Sequence, residues 1–371
     1  MTIGIDGNEA NVSERVGVSM YTLNLLKEFH KSANKQTRFV IYLRKPPLSD
    51  LPEQNEYFKY VVIPGAVAWS QIFFPAYLAT HKKPDVLFCP AHYIPRFSSV
   101  KTVVAIHDVA YFYFPEEFLK KDLYKLKNWT SYALNHSQKV ISVSENTKKD
   151  ITKFYETLEE RIEVIHNGFN QASSTETLME YEAPSSPYLL YVGTLQPRKN
   201  VAKLIKAFSI VKKEHADLKL YIVGKKGWLY DEIFAQVKKL QLQDDVIFSG
   251  YVSNAEKNAL YKHAQAYVLP SLYEGFGNPP LEAMSAGCPV IVSNNSSLPE
   301  ICSDACVYFD PNDTMDMANK IGEVLSNKEL RTSLKAKGEQ RVKEFSWEKC
   351  ASKTLEVLKK VANDNSDNLP G

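Results

Sequence analysis

Two glutamates eight residues apart, Glu274 and Glu282, stand in the segment Pro270–Ile291, PSLYEGFGNPPLEAMSAGCPVI. A glycine loop and the pair Pro279–Pro280 lie between them. Proline suits the first turn of a helix, where its missing N–H costs little. The spacing therefore predicts a loop carrying Glu274, then a helix carrying Glu282 one turn in and on the same side. The N–H groups of Gly277, Asn278, Leu281 and Glu282 would point at an anion, helped by the helix dipole. Carboxylates so placed can accept hydrogen bonds from sugar hydroxyls. No G-x-G-x-x-G follows the first strand of either half and no G-x-x-x-x-G-K-[ST] occurs, so dinucleotide and P-loop fingerprints are both missing.

The elements that must position these groups read as a parallel α/β chain, in which short apolar runs alternate with helical patterns. Strands are predicted near Ile3–Asp6, Phe39–Leu43, Tyr60–Ile63, Val86–Phe88, Thr102–Ile106, Val140–Val143 and Ile162–Ile165, with helices that include Ser19–Phe29 and Tyr124–Leu134. After a polar stretch, Asn170–Pro187, the pattern restarts at Tyr188–Gly193. It continues through Leu218–Gly224, Val246–Gly250, Ala266–Pro270, Pro289–Ser293 and Val307–Phe309. Gly193, Gly224, Gly250 and Gly275 fall at or just after strand ends, where glycine lets backbone approach a ligand closely. Ligands of such sheets bind beyond the carboxyl ends of the strands. The reading gives a domain over 1–175 and a second over 187–346. An amphipathic helix over 347–361, capped by Ser346, returns to the first domain, and a disordered tail spans 362–371.

Composition removes other classes. With 45 basic and 43 acidic residues in 371, no large basic field is available for nucleic acid. An apolar fraction of 44% is too high for disorder. No run approaches the ~18 apolar residues of a membrane span, and MTIGIDGNEA places acids where a signal peptide needs a basic region. Five scattered cysteines, Cys89, Cys288, Cys302, Cys306 and Cys350, suit reduced thiols in a cytoplasmic protein.

The Glu274–Glu282 segment resembles the E-x7-E motif of retaining glycosyltransferases with two Rossmann-like domains facing across a cleft (GT-B), specifically family 4. The segments VGTLQPRKN, FSGYVS, LPSLYEGFGNPPLEAM and SLPEICSDACVYFDP are all similar to the family pattern. The resemblance implies that Glu274 contacts the donor sugar and Glu282 the ribose. Lys199 would bind the pyrophosphate, and its neighbour Arg198 would take the phosphate-binding role that many members give to an arginine at the position of Thr194. Gly275, Phe276, Gly277, Asn278 and Leu281 would complete the donor loop, and Gly250, Tyr251 and Val252 would frame the base. In the first domain, VGVSMYTLNLL places Gly17 near the diphosphate. VAIHDVAYF places His107 at the reacting centre, with Asp108 and Tyr111 on the acceptor side. Asn167–Gly168 resembles the hinge segment.

The implied reaction moves a hexose from a nucleotide-sugar with retention. No second carboxylate is identifiable as a covalent nucleophile. Front-face displacement, in which the leaving phosphate takes the acceptor proton, is expected. The chain has no D-x-D motif, so neither metal nor other cofactor is expected. Motif style is most similar to bacterial mannosyltransferases of O-antigen type, which implies GDP-mannose and a glycan or lipid-linked acceptor. Leu119, Leu123 and Leu126 lie at helical spacing among Lys120, Lys121, Lys125 and Lys127, a basic amphipathic pattern suited to a membrane surface or a core-facing helix. A nucleotide-sugar epimerase and a non-catalytic sugar-nucleotide-binding relative remain the alternatives.

Overall fold

The computed structural model describes residues 1–15, 17–65, 68–169 and 184–364. Most of the polar stretch 170–187 and of the expected tail 362–371 therefore lies outside the described residues. So do Val16 in the VGVSMYTLNLL segment and Val67. The chain forms two compact units, Met1–Gly168 with the chain from Ser346 onward, and Phe169–Phe345.

In the first unit the strands are β1 (Thr2–Asp6), β2 (Arg38–Leu43), β3 (Phe58–Val62), β4 (Val86–Cys89), β5 (Thr102–Ile106), β6 (Lys139–Ser142) and β7 (Ile162–Val164). Every described pairing is parallel, and the order is β3-β2-β1-β4-β5-β6-β7. Parallel strands need crossovers, and these carry α1 (Val18–Ser32), α2 (Phe73–Thr80), α3 (Lys120–His136) and α4 (Glu145–Tyr155). Alternate side chains go to opposite faces. Ile3, Ile5, Phe39, Ile41, Phe88, Val103 and Ala105 join a core with Leu25 and Leu26 of α1. Tyr42, Leu87, Val104, Ile106 and Val140 join the other core, with Phe74, Leu134 and Ile151.

In the second unit the strands are β8 (Tyr188–Val192), β9 (Lys219–Val223), β10 (Val246–Gly250), β11 (Ala266–Leu269), β12 (Val290–Ser293) and β13 (Val307–Phe309). They are again parallel, in the order β10-β9-β8-β11-β12-β13. Between and after them come α5 (Val201–Val211), α6 (Asp231–Lys239), α7 (Asn254–His263), α8 (Asn278–Ser285), α9 (Leu298–Cys302), α10 (Thr314–Ser326) and α11 (Lys328–Val342). No described helix is long and apolar enough to cross a membrane.

The last helix, α12 (Trp347–Asn363), starts where the Ser346 hydroxyl accepts the Lys349 N–H at 3.2 Å. It includes Ala362 and Asn363 of the expected tail. Trp347, Cys350, Ala351, Val357, Leu358 and Val361 lie at helical spacing and are buried in the same core as α1. Burial of side chains this size is worth about 1.5–3 kcal/mol each, which holds α12 on the first unit. Its start crosses Gly168 so closely that a Cβ there would overlap the Trp347 backbone nitrogen and Cα. Overpacking of this kind costs about 1–3 kcal/mol. Gly168→Ala should therefore lower the denaturation midpoint measurably, whereas Gly322→Ala, with open space at its Cβ, should not.

Candidate functional site

In the second sheet the strand order reverses between β8 and β11, so the crevice expected for a ligand opens beyond their carboxyl ends. The β8 side supplies a single 3-10 turn, Pro197–Lys199, ended by Asn200 at φ 58°. The Asn200 amide anchors it by donating to the Pro311 carbonyl at 2.9 Å. The β11 side supplies the loop 270–277, which enters α8. Main chain joins the two, because the Leu272 N–H donates to the Arg198 carbonyl at 2.8 Å and the Arg198 guanidinium to the Tyr273 carbonyl at 3.1 Å.

Glu274 sits at this junction, buried at 8% exposure. Its Oε1 accepts from Lys199 Nζ at 2.5 Å and from the Ser271 hydroxyl at 2.6 Å. Burial pushes the carboxyl up. The charges of Lys199 and Arg198 and the two hydrogen bonds outweigh that, and hold Glu274 below the usual carboxylate range. It is therefore ionised at neutral pH. The loop's other side is tied by two serines. Glu274 N–H donates to the Ser296 hydroxyl at 3.0 Å, and the Ser297 hydroxyl donates to the Glu274 and Phe276 carbonyls at 2.9 and 2.7 Å.

Gly275, Phe276 and Gly277 are buried, and Asn278 is half-buried. Gly277, at φ 108°, is the N-cap of α8, and no side chain caps this helix. Pro279 and Pro280 lie in its first turn, as expected. The anion-facing donors are fewer than the sequence suggests. Glu282 is the fifth helical residue, so regular geometry turns its N–H toward the Asn278 carbonyl. Leu281 is fully buried and could offer a ligand only backbone. The Glu282 carboxylate is held by α7, through Lys257 Nζ at 2.9 Å and the Tyr261 hydroxyl at 3.2 Å. Burial and the charge of Glu282 raise the Tyr261 hydroxyl well above its ordinary value, so it stays protonated and donates.

The neighbouring strand ends form the rest of the rim. Thr194 is exposed, and a Cβ at Gly224 would overlap the Gly193 carbonyl, so only glycine permits these two strand exits to touch. The Gly224 N–H donates to the Gly250 carbonyl at 2.8 Å. Tyr251 is 71% exposed, with Lys225 Nζ 4.8 Å from its ring centroid, and Val252 is half-buried. The ring of Tyr251 is thus available for contact.

In the first unit the order reverses between β1 and β4. Gly17 is the N-cap of α1 at φ 50°. His107 follows β5 and is half-buried, with Nε2 2.7 Å from the Pro90 carbonyl and its ring 4.7 Å from that of Tyr21. Burial and nearby His92 lower its pKa to about 4, so it is neutral at pH 7. Asp108 spends one oxygen on the local turn, accepting the Ala110 N–H at 3.1 Å. Tyr111 corrects the sequence reading. It is 1% exposed, with its hydroxyl 2.8 Å from that of Tyr155, and belongs to the core under α3 and α4 instead of an acceptor surface. On α3, Leu123 and Leu126 also pack on that core, so two of the stripe's three leucines are covered by protein. Leu119 and Tyr124 remain 75% and 69% exposed.

Sequence reading missed Ser271, Ser296, Ser297, Lys257 and Tyr261, which orient the two glutamates. The run Ser293–Ser297, SNNSS, reads as an ordinary loop, and each of these residues but Ser271 lies more than twenty positions from its carboxylate. The Lys199–Glu274 pair also predicts an acid response. Its contribution is complete above pH 4.5, the ordinary glutamate value, and is lost as pH falls through the lowered folded value. Lys199→Met should remove that acid limb and destabilise the unit by about 3–5 kcal/mol, since it leaves a buried carboxylate unpaired. Urea titrations between pH 3 and 7 check both.

Comparisons with known proteins bear on the family and the fold. The family described as Glycosyltransferase Family 4 matches residues 16–173, and Glycosyl transferases group 1 matches residues 179–341. O-antigen chain mannosyltransferase B of Escherichia coli is 29% identical over 335 residues, covering 88% of this chain and 84% of that one. An uncharacterized glycosyltransferase of Methanocaldococcus jannaschii is 30% identical over 266 residues, covering 71% of each. Among solved structures, sucrose-phosphate synthase from Thermosynechococcus elongatus superposes with a TM-score of 0.77 at 18% identity, covering 97% and 98% of the two chains. With two Rossmann-like domains of the GT-B fold and both halves matched, the chain belongs to the family 4, or group 1, glycosyltransferases.

Proposed function

We propose that this glycosyltransferase moves mannose from GDP-mannose, with retention and without a metal, to a glycan or lipid-linked acceptor in cell-surface polysaccharide synthesis. The observation that carries this reading is the buried, ionised Glu274 held by Lys199 beside Arg198, next to the uncapped start of α8. A sugar hydroxyl can donate to the remaining lone pairs of Glu274. The diphosphate can take donors from Lys199, Arg198 and the Gly277 and Asn278 N–H groups at the start of α8, where charge builds as the glycosidic bond to phosphate breaks. Glu282, held by Lys257 and Tyr261, takes the ribose hydroxyls. His107, neutral and lacking a proton on Nδ1, is assigned to orienting a hydroxyl at the reacting centre. The leaving phosphate takes the acceptor's proton, which spares the protein a separate general base. Choice of mannose is supported by the name of the Escherichia coli relative and by motif style.

Thermal-shift titration with GDP-, UDP- and ADP-sugars tests the donor. GDP-mannose should raise the midpoint most, and a shift with none of the three would remove the proposal. Glu274→Gln keeps the side-chain shape and should lower transfer at least about 100-fold while the protein stays folded. Product NMR should show the α-anomer of the donor retained, and EDTA should leave turnover unchanged.

We assign the protein to the cytoplasm, in contact with the membrane face through the first unit. Exposed Leu119 and Tyr124 beside Lys120 and Lys121 support this, while Leu123 and Leu126 of α3 pack on the core. Flotation with vesicles containing anionic lipid should recover the wild type and lose most of the triple variant Lys120→Glu, Lys121→Glu, Lys125→Glu. Equal recovery would restrict α3 to a structural role.

A further inference from the structure

The loop after β4 contains a histidine that no motif singled out. His92 adopts φ 51°, in the left-handed region that a non-glycine residue enters at a cost of about 1–3 kcal/mol. The surroundings hold it there. Its N–H donates to the Ala105 carbonyl at 3.0 Å, two residues before His107. Its Nε2 accepts the His107 N–H in a long contact of 3.4 Å. The two rings lie 5.9 Å apart between centroids, inclined by 34°. The same loop grips the His107 ring, because the Pro90 carbonyl faces His107 Nε2 at 2.7 Å. A carbonyl only accepts, so His107 carries its proton on Nε2 and leaves Nδ1 as a bare lone pair.

We propose that His92 is a positioning residue for the glycosyl-transfer reaction, fixing His107 as a neutral Nε2–H imidazole whose Nδ1 accepts from a reactant hydroxyl. Two mechanisms combine. The strained turn at His92 brings the Pro90 carbonyl and the His92 ring against His107 from one side. The second imidazole also makes a charge on His107 unfavourable, since two imidazolium rings at this separation would repel in a poorly solvated setting. Since His92 Nε2 accepts the His107 N–H, neutral His92 carries its proton on Nδ1, which is buried with no partner among the described residues, and a second proton on Nε2 would set two N–H donors against each other. The other groups facing the pair are Asp108, whose charge opposes this effect, and Tyr21 of α1, whose ring edge packs on His107. The inference rests on the role of His107 in the reading above.

The test uses two substitutions in the full chain. His92→Asn keeps a residue suited to left-handed backbone but removes the ring, whereas His92→Gln can place a polar atom near the position of Nε2. Nitrogen-15 NMR of the wild type should show His107 protonated on Nε2 alone, with a midpoint near 4. In His92→Asn the midpoint should move up toward the ordinary 6.5, with both tautomers visible. In His92→Gln the tautomer should be largely restored. GDP binding, carried by the second unit, should be unchanged in both variants. Release of GDP from GDP-mannose should fall about tenfold in His92→Asn through kcat, with partial recovery in His92→Gln. An unchanged His107 midpoint and tautomer in His92→Asn would overturn the inference, as would unaltered kcat. A wild type that binds no nucleotide-sugar would instead sink the assigned reaction and leave the NMR result to stand alone.

Discussion

A buried carboxylate is tolerable only when its charge is met, and the second unit is built around meeting the charge of Glu274. Lys199 and Ser271 take its oxygen, while backbone and serine contacts on both sides fix the loop that carries it. The arrangement ties together three chain segments, around 198, 274 and 297, that share no sequence proximity. Separating the segments around 198 and 274 would strand a carboxylate and an ammonium group, at a cost of several kcal/mol, and moving the segment around 297 would leave backbone groups of the loop unpaired. This explains why so much polar bonding converges on a loop that has no regular structure of its own.

The two halves of the chain use one architecture for different electrostatic ends. At the reversal of the second sheet, cations, an ionised carboxylate and an uncapped helix start create a site of fixed charge. At the reversal of the first sheet two imidazoles with lowered pKa values and an aromatic edge lie together, with Asp108 as the charged neighbour.

Much of this was legible in the sequence. Strands showed because parallel sheets buried on both faces require continuous apolar runs, such as Val103–Ile106 and Val290–Val292. Glu274 and Glu282 showed because prolines and glycines around them restrict the backbone. What did not show was the tertiary pairing. Nothing local marks Ser296 as the acceptor and Ser297 as the donor that bracket a loop about twenty residues earlier, or Lys257 as the clamp of Glu282. Tyr111 misled for a related reason, because an aromatic residue near a strand end looks the same whether its ring turns outward or into the core. The stripe on α3 was ambiguous between a membrane face and a core face; Leu123 and Leu126 pack on the core, whereas Leu119 stays exposed.

The return of α12 to the first unit has a consequence for biogenesis. Residues 169–345 form an insertion within the first unit's chain, and the first unit's core is completed only by Trp347, Leu358 and their neighbours. During synthesis the first sheet must therefore wait, with the face beside α1 still lacking its cover, while the whole second unit emerges. The second unit is continuous in sequence and needs no such delay. A chain that stopped short of α12 would leave an apolar surface open on an otherwise assembled sheet, the kind of surface by which unfinished proteins associate.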